Sequence, residues 1–227
     1  MGIRERHERD REAVRRAILD AARNLFVVEG YHNVSIRKIA EGAEYSPAAI
    51  YGYFPSKDDI FFALAEEGFR LLGDHDVADL ETPPALEPLA RIRAVFWRLY
   101  EFSREHPQYF ALMFVDRSVP RISREYERFA FARAMKQQIV EEIQAGIDAR
   151  VLPVGLNPAA AMRTLTVGLL GVAVMSLSER LAPGENADHL AADVLDATLA
   201  GLRTGVSLRT TTDGCRVLEA APDAQAS

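Results

Sequence analysis

An all-α fold is what this sequence predicts, on three observations. Apolar residues recur at helical spacing in most segments between proline, glycine and polar breaks. No run alternates convincingly like a strand. Serines stand just ahead of apolar-periodic stretches at Ser35, Ser46 and Ser56, where helix N-caps are needed.

The first predicted helix runs from Arg9 to Glu29, with Val14, Ile18, Ala21, Ala22, Leu25 and Phe26 on one face and Gly30 as a stop. Ser35 can cap the next helix, flanked by Val34 and Ile39 as a hydrophobic staple. Ser46 repeats this with Tyr45 and Ile50, and Pro47 fits the first helical position, where a missing N–H is harmless. Ser56 and Asp59 make a Ser-x-x-Asp capping box for a helix from Lys57 towards Leu72. The two short helices are joined at Ala43-Glu44-Tyr45. That is helix-turn-helix geometry, in which the second short helix enters the DNA major groove.

Asp74 to Pro88 is acidic and proline-bearing and reads as a loop or linker. Helical patterns follow at about 87–105, 107–117, 120–150, 157–181 and 186–205, and the polar, aperiodic tail from Ser207 is expected to be disordered. The expected division is a DNA-binding unit at 1–60, a second helical unit at 61–206, and a tail at 207–227.

Composition removes several alternatives. The chain has 227 residues, 48% hydrophobic and 26% charged, as in an ordinary globular protein. One cysteine, Cys215, excludes an intramolecular disulfide framework or a Cys-rich zinc site, and five scattered histidines offer no metal site. No cofactor motif is present. The N-terminus lacks the apolar run of a signal peptide, and the longest uncharged apolar run, Thr164 to Ser178, has 15 residues, too few to span a bilayer. The expectation is a cytoplasmic protein with no membrane partner. Residues 1–60 carry ten basic and ten acidic groups, so the net charge of −6 comes entirely from 61–227. Any DNA contact must come from a few placed groups rather than a polybasic surface.

"SIRKIAEGAEYSPAAIYGYFPSKDDI" (Ser35 to Ile60) closely resembles the signature of the tetracycline-repressor (TetR) family of bacterial transcription regulators. The resemblance covers about residues 10–65, and its specific part is Tyr51-x-Tyr53-Phe54-x-x-Lys57 behind the Ser46 cap. It implies an all-helical homodimer: an N-terminal three-helix helix-turn-helix domain binds a double-stranded operator, and a C-terminal helical domain binds a small effector and dimerises.

Physical roles follow for the residues of the motif. Pro47, Ala48 and Ala49 at the start of the recognition helix let its backbone approach the base edges, and the alanines can touch thymine methyls. Tyr51 and Tyr53 are long enough to reach phosphates, and Lys57 can meet another. Ser35 and Ser46 can add phosphate contacts to their capping role. Of the adjacent Arg37 and Lys38, which face different ways, at most one is expected on the DNA backbone; Arg37 is taken as that contact. Phe54 is assigned to packing. The plainer alternatives are core tyrosines with satisfied hydroxyls and a solvated lysine. Two positions depart from the family pattern. Glu44 stands where the family commonly has Gly, which strains a left-handed turn. Gly52 stands where relatives often carry a base-reading side chain, so that direct readout is thin.

The second unit is rich in aromatics. Phe96, Trp97, Tyr100, Phe110, Met113, Phe114, Tyr126, Phe129 and Met135, around a break at His106-Pro107, are expected to line a mostly apolar cavity for a small hydrophobic or aromatic effector. An ordinary helical core is the alternative for any one of them. Pro158 to Leu181 and Ala187 to Gly205 resemble the family's dimerising helices, and Leu165, Leu169, Val172, Leu195 and Leu199 are expected at the dimer interface. The competing functions are an architectural DNA binder without ligand control and a helical enzyme. No HExxH, nucleophile elbow or phosphate loop favours the enzyme.

Overall fold

The computed structural model describes residues 3–73, 87–120 and 130–208. Among these, helices are joined by turns and no strand occurs. The linker reading of 74–86, the disordered tail beyond 208, and the side chains of Tyr126 and Phe129 lie outside the described residues.

The N-terminal part comprises α1 (Ile3–Glu29), a 3-10 turn (Tyr31–Asn33), α2 (Ile36–Gly42), α3 (Pro47–Tyr51) and α4 (Lys57–Gly73). Gly30 ends α1 at φ 79, a conformation that favours glycine. The predicted caps form: Ser35 Oγ accepts the Lys38 N–H at 3.2 Å and Ser46 Oγ accepts the Ala49 N–H at 3.2 Å. Ser56 and Asp59 cap α4 reciprocally, the hydroxyl donating to the carboxylate at 2.6 Å and accepting the Asp59 N–H at 3.2 Å.

The C-terminal part comprises α5 (Pro88–Glu105), α6 (Pro107–Phe110) running into a π-helical turn (Ala111–Val115), α7 (Ala130–Asp148), α8 (Pro158–Leu177) and α9 (Ala187–Arg203). One core joins Ile18, Phe26, Ile39, Ile50, Phe61 and Leu64 to Phe102, Phe110 and Met113, so apolar packing continues past residue 60. The expected boundary after residue 60 falls inside α4. A second core packs α5, α7, α8 and α9 around Phe96, Tyr100, Ile143, Leu169 and Leu195.

That second core corrects the expected dimer face. Leu165, Leu169, Val172, Leu195 and Leu199 are buried within one chain, Leu169 completely. They seal α8 against α5 and α9, and Gly168 permits the close approach, since a Cβ there would stand 2.9 Å from Val194 Cγ1. The outward face of α8 carries Val167, 61% exposed, Met175, and Gly171, which has open space around it. The membrane expectation rested on the 15-residue uncharged run, and the helix that carries this run is longer. α8 has 20 residues at a mean hydropathy of 1.6, long and apolar enough to cross a bilayer by length and composition, with a third of its apolar window buried. A helix that packs one face on a core and bares the other reaches the same averages.

α2, α7 and α8 end alike, with a residue at positive φ: Glu44 at 60°, Arg150 at 60° and Glu179 at 53°. Each closes a Schellman pair; at Glu44 the bonds are Tyr45 N–H to Ala40 O at 2.9 Å and Glu44 N–H to Glu41 O at 3.2 Å. The helix-turn-helix turn is therefore left-handed at Glu44, as a Gly there would allow. Glu44→Gly should raise stability by about 0.5–1 kcal/mol, the strain relieved less the added chain entropy. Urea unfolding measures this, and a loss of stability would contradict the strain assignment.

Candidate nucleic-acid interface and effector cavity

The outer surface of the helix-turn-helix is built from side chains that the core does not need. Ile50 and Phe54 turn inward, and Arg15 of α1 lies over the Phe54 ring at 5.4 Å. Pro47, Ala48, Tyr51 and Gly52 remain exposed, Tyr51 by 56%, while Ala49 is half-buried. The Ser35 and Ser46 hydroxyls accept their capping bonds and keep their own O–H as a donor. Gly52 adopts φ −70, so its backbone does not call for glycine; what glycine supplies there is a bare surface at the end of α3.

The cations separate into engaged and unengaged groups. Lys38 pairs with Glu29. Arg37 is exposed and makes no ion pair among the described residues. Arg11 lies over the half-buried Tyr53 ring at 5.8 Å, so Tyr53 is part packing residue, part surface.

Lys57 differs from its expected role. Its Nζ donates to the Tyr31 and Val34 carbonyls at 2.8 and 3.0 Å and sits 4.0 Å from the centre of the Tyr31 ring. Burial lowers its pKa, opposed by the adjacent Asp58. The Tyr31 hydroxyl in turn donates to Asp58, and burial followed by that bond pushes the phenol pKa far up. Lys57 is thus a brace tying the start of α4 to the 3-10 turn. The sequence has no local sign of this, because the carbonyls it binds lie 23 and 26 residues away.

The cavity lies among α4, α5, α7 and α8, with a volume of about 760 Å³. Phe96, Trp97, Phe114 and Met135 line it as expected. Tyr100, Phe110 and Met113 do not, and this is a correction. Tyr100 is buried with its hydroxyl donated to Asp188 at 2.7 Å, which ties α5 to α9; burial and that bond push its pKa up to about 12. Phe110 fills the first core, and Met113 seats against Gly68 of α4, where an added Cβ would strike its sulfur. Phe69, Leu72, Phe131, Ile139 and Met162 complete the apolar wall. Their sequence patterns are those of ordinary amphipathic helices; only the meeting of four helices makes them a lining. The His106 ring lies tilted against Phe102, 5.5 Å between centres, at the α5–α6 break and outside this wall.

Polar groups gather along α5. The Trp97 indole N–H donates to Glu101 at 3.0 Å, and Arg98 Nη1 donates to Glu105 at 2.8 Å. Beyond Phe114, the Asp116 carboxylate accepts the Tyr31 N–H at 3.3 Å and the Ser118 N–H at 2.7 Å. Although burial works against its charge, the bonds from Ser118 and Tyr31 hold its pKa below the usual value.

Removing the brace tests its role. Lys57→Ala leaves two carbonyls without their donor and should cost about 1–3 kcal/mol, towards the lower end because the site is only partly buried. Urea unfolding without DNA reads this; unchanged stability would return Lys57 to the surface.

Comparison with known proteins agrees with both halves of the structure. The model described as "Bacterial regulatory proteins, tetR family" matches residues 18–64, and "Tetracyclin repressor-like, C-terminal domain" matches 92–198. The chain is 28% identical over 159 residues to the HTH-type transcriptional repressor KstR of Rhodococcus jostii (strain RHA1), covering 66% of this chain and 73% of that one. In fold it is similar to the transcriptional regulator FadR from Bacillus subtilis in complex with stearoyl-CoA, with TM-score 0.66, 16% identity, and 82% and 97% of the two chains covered. It is likewise similar to the ketosteroid transcriptional regulator KstR2 of Mycobacterium tuberculosis, with TM-score 0.60, 20% identity, and coverage of 83% and 94%. The helix-turn-helix head and the helical cavity domain each answer to one half of a single architecture, and the chain belongs to the TetR family of bacterial transcription regulators.

Proposed function

We propose that this regulator is a repressor that holds its operator as a homodimer and releases it when a small, mostly hydrophobic effector fills the cavity among α4, α5, α7 and α8. The observation that carries this reading is the span of α4. The helix begins at the Lys57 brace beneath the helix-turn-helix and ends with Leu72 and Gly73 on the cavity wall. A ligand-sized volume joined in this way to the DNA-binding head favours regulation by an effector over an architectural role.

On DNA, the exposed Ala48 and Gly52 face the groove floor, while Tyr51, Arg37 and the free O–H groups of Ser35 and Ser46 take phosphates. Tyr53 contributes through its partly exposed ring edge, and Lys57 acts indirectly by holding the frame. In the cavity, an effector wedges between Phe69 of α4 and Phe114 of the π-helical turn, whose rings meet edge-on at 6.5 Å. Both walls lead to Tyr31, one through α4 and Lys57, the other through Asp116. The effector acts only by preferring the released arrangement; equal affinity for both would shift nothing. The acyl-CoA bound in the FadR structure supports an apolar effector on this fold.

The dimer is assigned to the outward faces of α8 and α9, where Val167, Gly171 and Met175 of the one and the small Ala197 and Ala200 of the other are exposed. Two such faces about a two-fold axis would bury the apolar stripe and fix the spacing of the heads.

The direct test is anisotropy titration against DNA upstream of the chain's own coding sequence, at several salt concentrations. Specific, salt-dependent binding that an apolar compound reverses supports the reading; specific binding that none of a broad apolar panel reverses sinks the effector half. For the dimer, Val167→Glu with Met175→Glu should give folded monomers in sedimentation and weaken operator binding by about ten-fold or more, since each half-site loses its tethered neighbour. A folded dimer of that variant would move the interface elsewhere.

A further inference from the structure

Arg98 stands on the cavity wall with its side chain only 15% exposed. Its Nη1 donates to Glu105 Oε2 at 2.8 Å, and Glu101 Oε2 lies 3.9 Å away. Its Nε is buried and has no hydrogen-bond partner. A buried N–H left without an acceptor is costly, and such groups in a native structure call for a partner. The guanidinium edge that carries Nε and Nη2 is the one that grips a carboxylate through two parallel bonds. Arg93, five residues earlier on α5, shows that geometry within this chain: its Nε and Nη2 reach the two carboxylate oxygens of Asp196 at 2.7 and 3.3 Å. Among the described residues, no protein acceptor meets the Nε of Arg98.

We propose that Arg98 is the head-group anchor of the cavity and that the effector is an amphipathic carboxylate. Its apolar body lies against Phe69, Phe114, Phe131 and Ile139, and its carboxylate takes Nε and Nη2 of Arg98. This rests on reading the cavity as the effector site. Because Nε is closed to solvent, the guanidinium swings towards the cavity to meet the head group, and its bond to Glu105 loosens. Glu105 is the last residue of α5, directly before the His106–Pro107 break into α6 and the π-helical turn. Capture of the carboxylate is thereby passed to the segment that carries Phe114 and Asp116. Glu101, Glu105 and Glu142 on the same wall would favour an ammonium head group, so the preference for a carboxylate rests on the unpartnered Nε of Arg98 alone.

The test titrates decanoate, 1-decanol and decylamine into the full chain and into Arg98→Met. Trp97, the chain's only tryptophan and part of the cavity wall, gives the fluorescence readout. Wild type should bind decanoate about ten-fold or more tightly than the alcohol or the amine, as a bidentate charged pair allows. Arg98→Met should bind decanoate and 1-decanol within about two-fold of each other, the shared alkyl chain then dominating. Equal binding of acid and alcohol by wild type, or a preference that survives in Arg98→Met, overturns the anchor and leaves the apolar cavity standing. If none of the probes binds, the apolar-effector reading falls and takes the anchor with it. Should Arg98→Met fail to fold by circular dichroism, Arg98→Lys replaces it: it keeps the charge but lacks the fork. Loss of most of the preference supports the anchor, and full retention overturns it.

Discussion

α4 has to satisfy two cores at once. Its first half buries Ile60, Phe61 and Leu64 beneath the helix-turn-helix, and its second half presents Phe69 and Leu72 to the cavity. A 17-residue helix is a stiff rod of about 25 Å, so neither end shifts without the other. The seam between Gly68 and Met113 is close, because a carbon added at Gly68 would meet the Met113 sulfur and press on Tyr109. Close-packed interiors of this kind respond by moving whole elements rather than by local deformation. Head and cavity therefore share one helix and one core, although the sequence reads as two domains.

The proposed DNA-facing surface depends on that rod for its position and on local chemistry for its availability. The Ser35 and Ser46 caps satisfy helix N–H groups while leaving a hydroxyl proton free, and α3 turns Ile50 inward so that Ala48, Tyr51 and Gly52 face out. Residues 1–60 carry no net charge, so the proposed DNA contacts rest on this small patch rather than on a basic surface. The Tyr31–Asp58–Lys57 cluster holds the patch in place. It half-buries the Lys57 ammonium against the buried Tyr31 phenol and leaves Asp58 exposed, which is tolerable because each polar group finds a partner.

α8 divides its apolar residues between two tasks. Leu165, Leu169 and Val172 close the chain's own core, with Gly168 bringing α9 near, while Val167 and Met175 face outwards beside Gly171. The helix is apolar nearly all round, so hydrophobicity alone cannot say which side meets α5 and which meets another surface.

The sequence by itself determined what is local. Helix class, the caps at Ser35, Ser46 and Ser56 and the inward turn of Phe54 all follow from interactions within a few residues, which spacing exposes. The aromatic richness around His106-Pro107 likewise announced a cavity and four of its wall residues, Phe96, Trp97, Phe114 and Met135. Tertiary structure alone decided what depends on partners far along the chain. Lys57 reads as a free cation until the Tyr31 and Val34 carbonyls close on it. Tyr100 reads as a ligand contact until Asp188, 88 residues on, takes its hydroxyl. The five residues expected at the dimer face turned out to be core because helical periodicity fixes which residues share a side but not which side is covered. That choice belongs to the angles at which helices cross, and no window of sequence contains them.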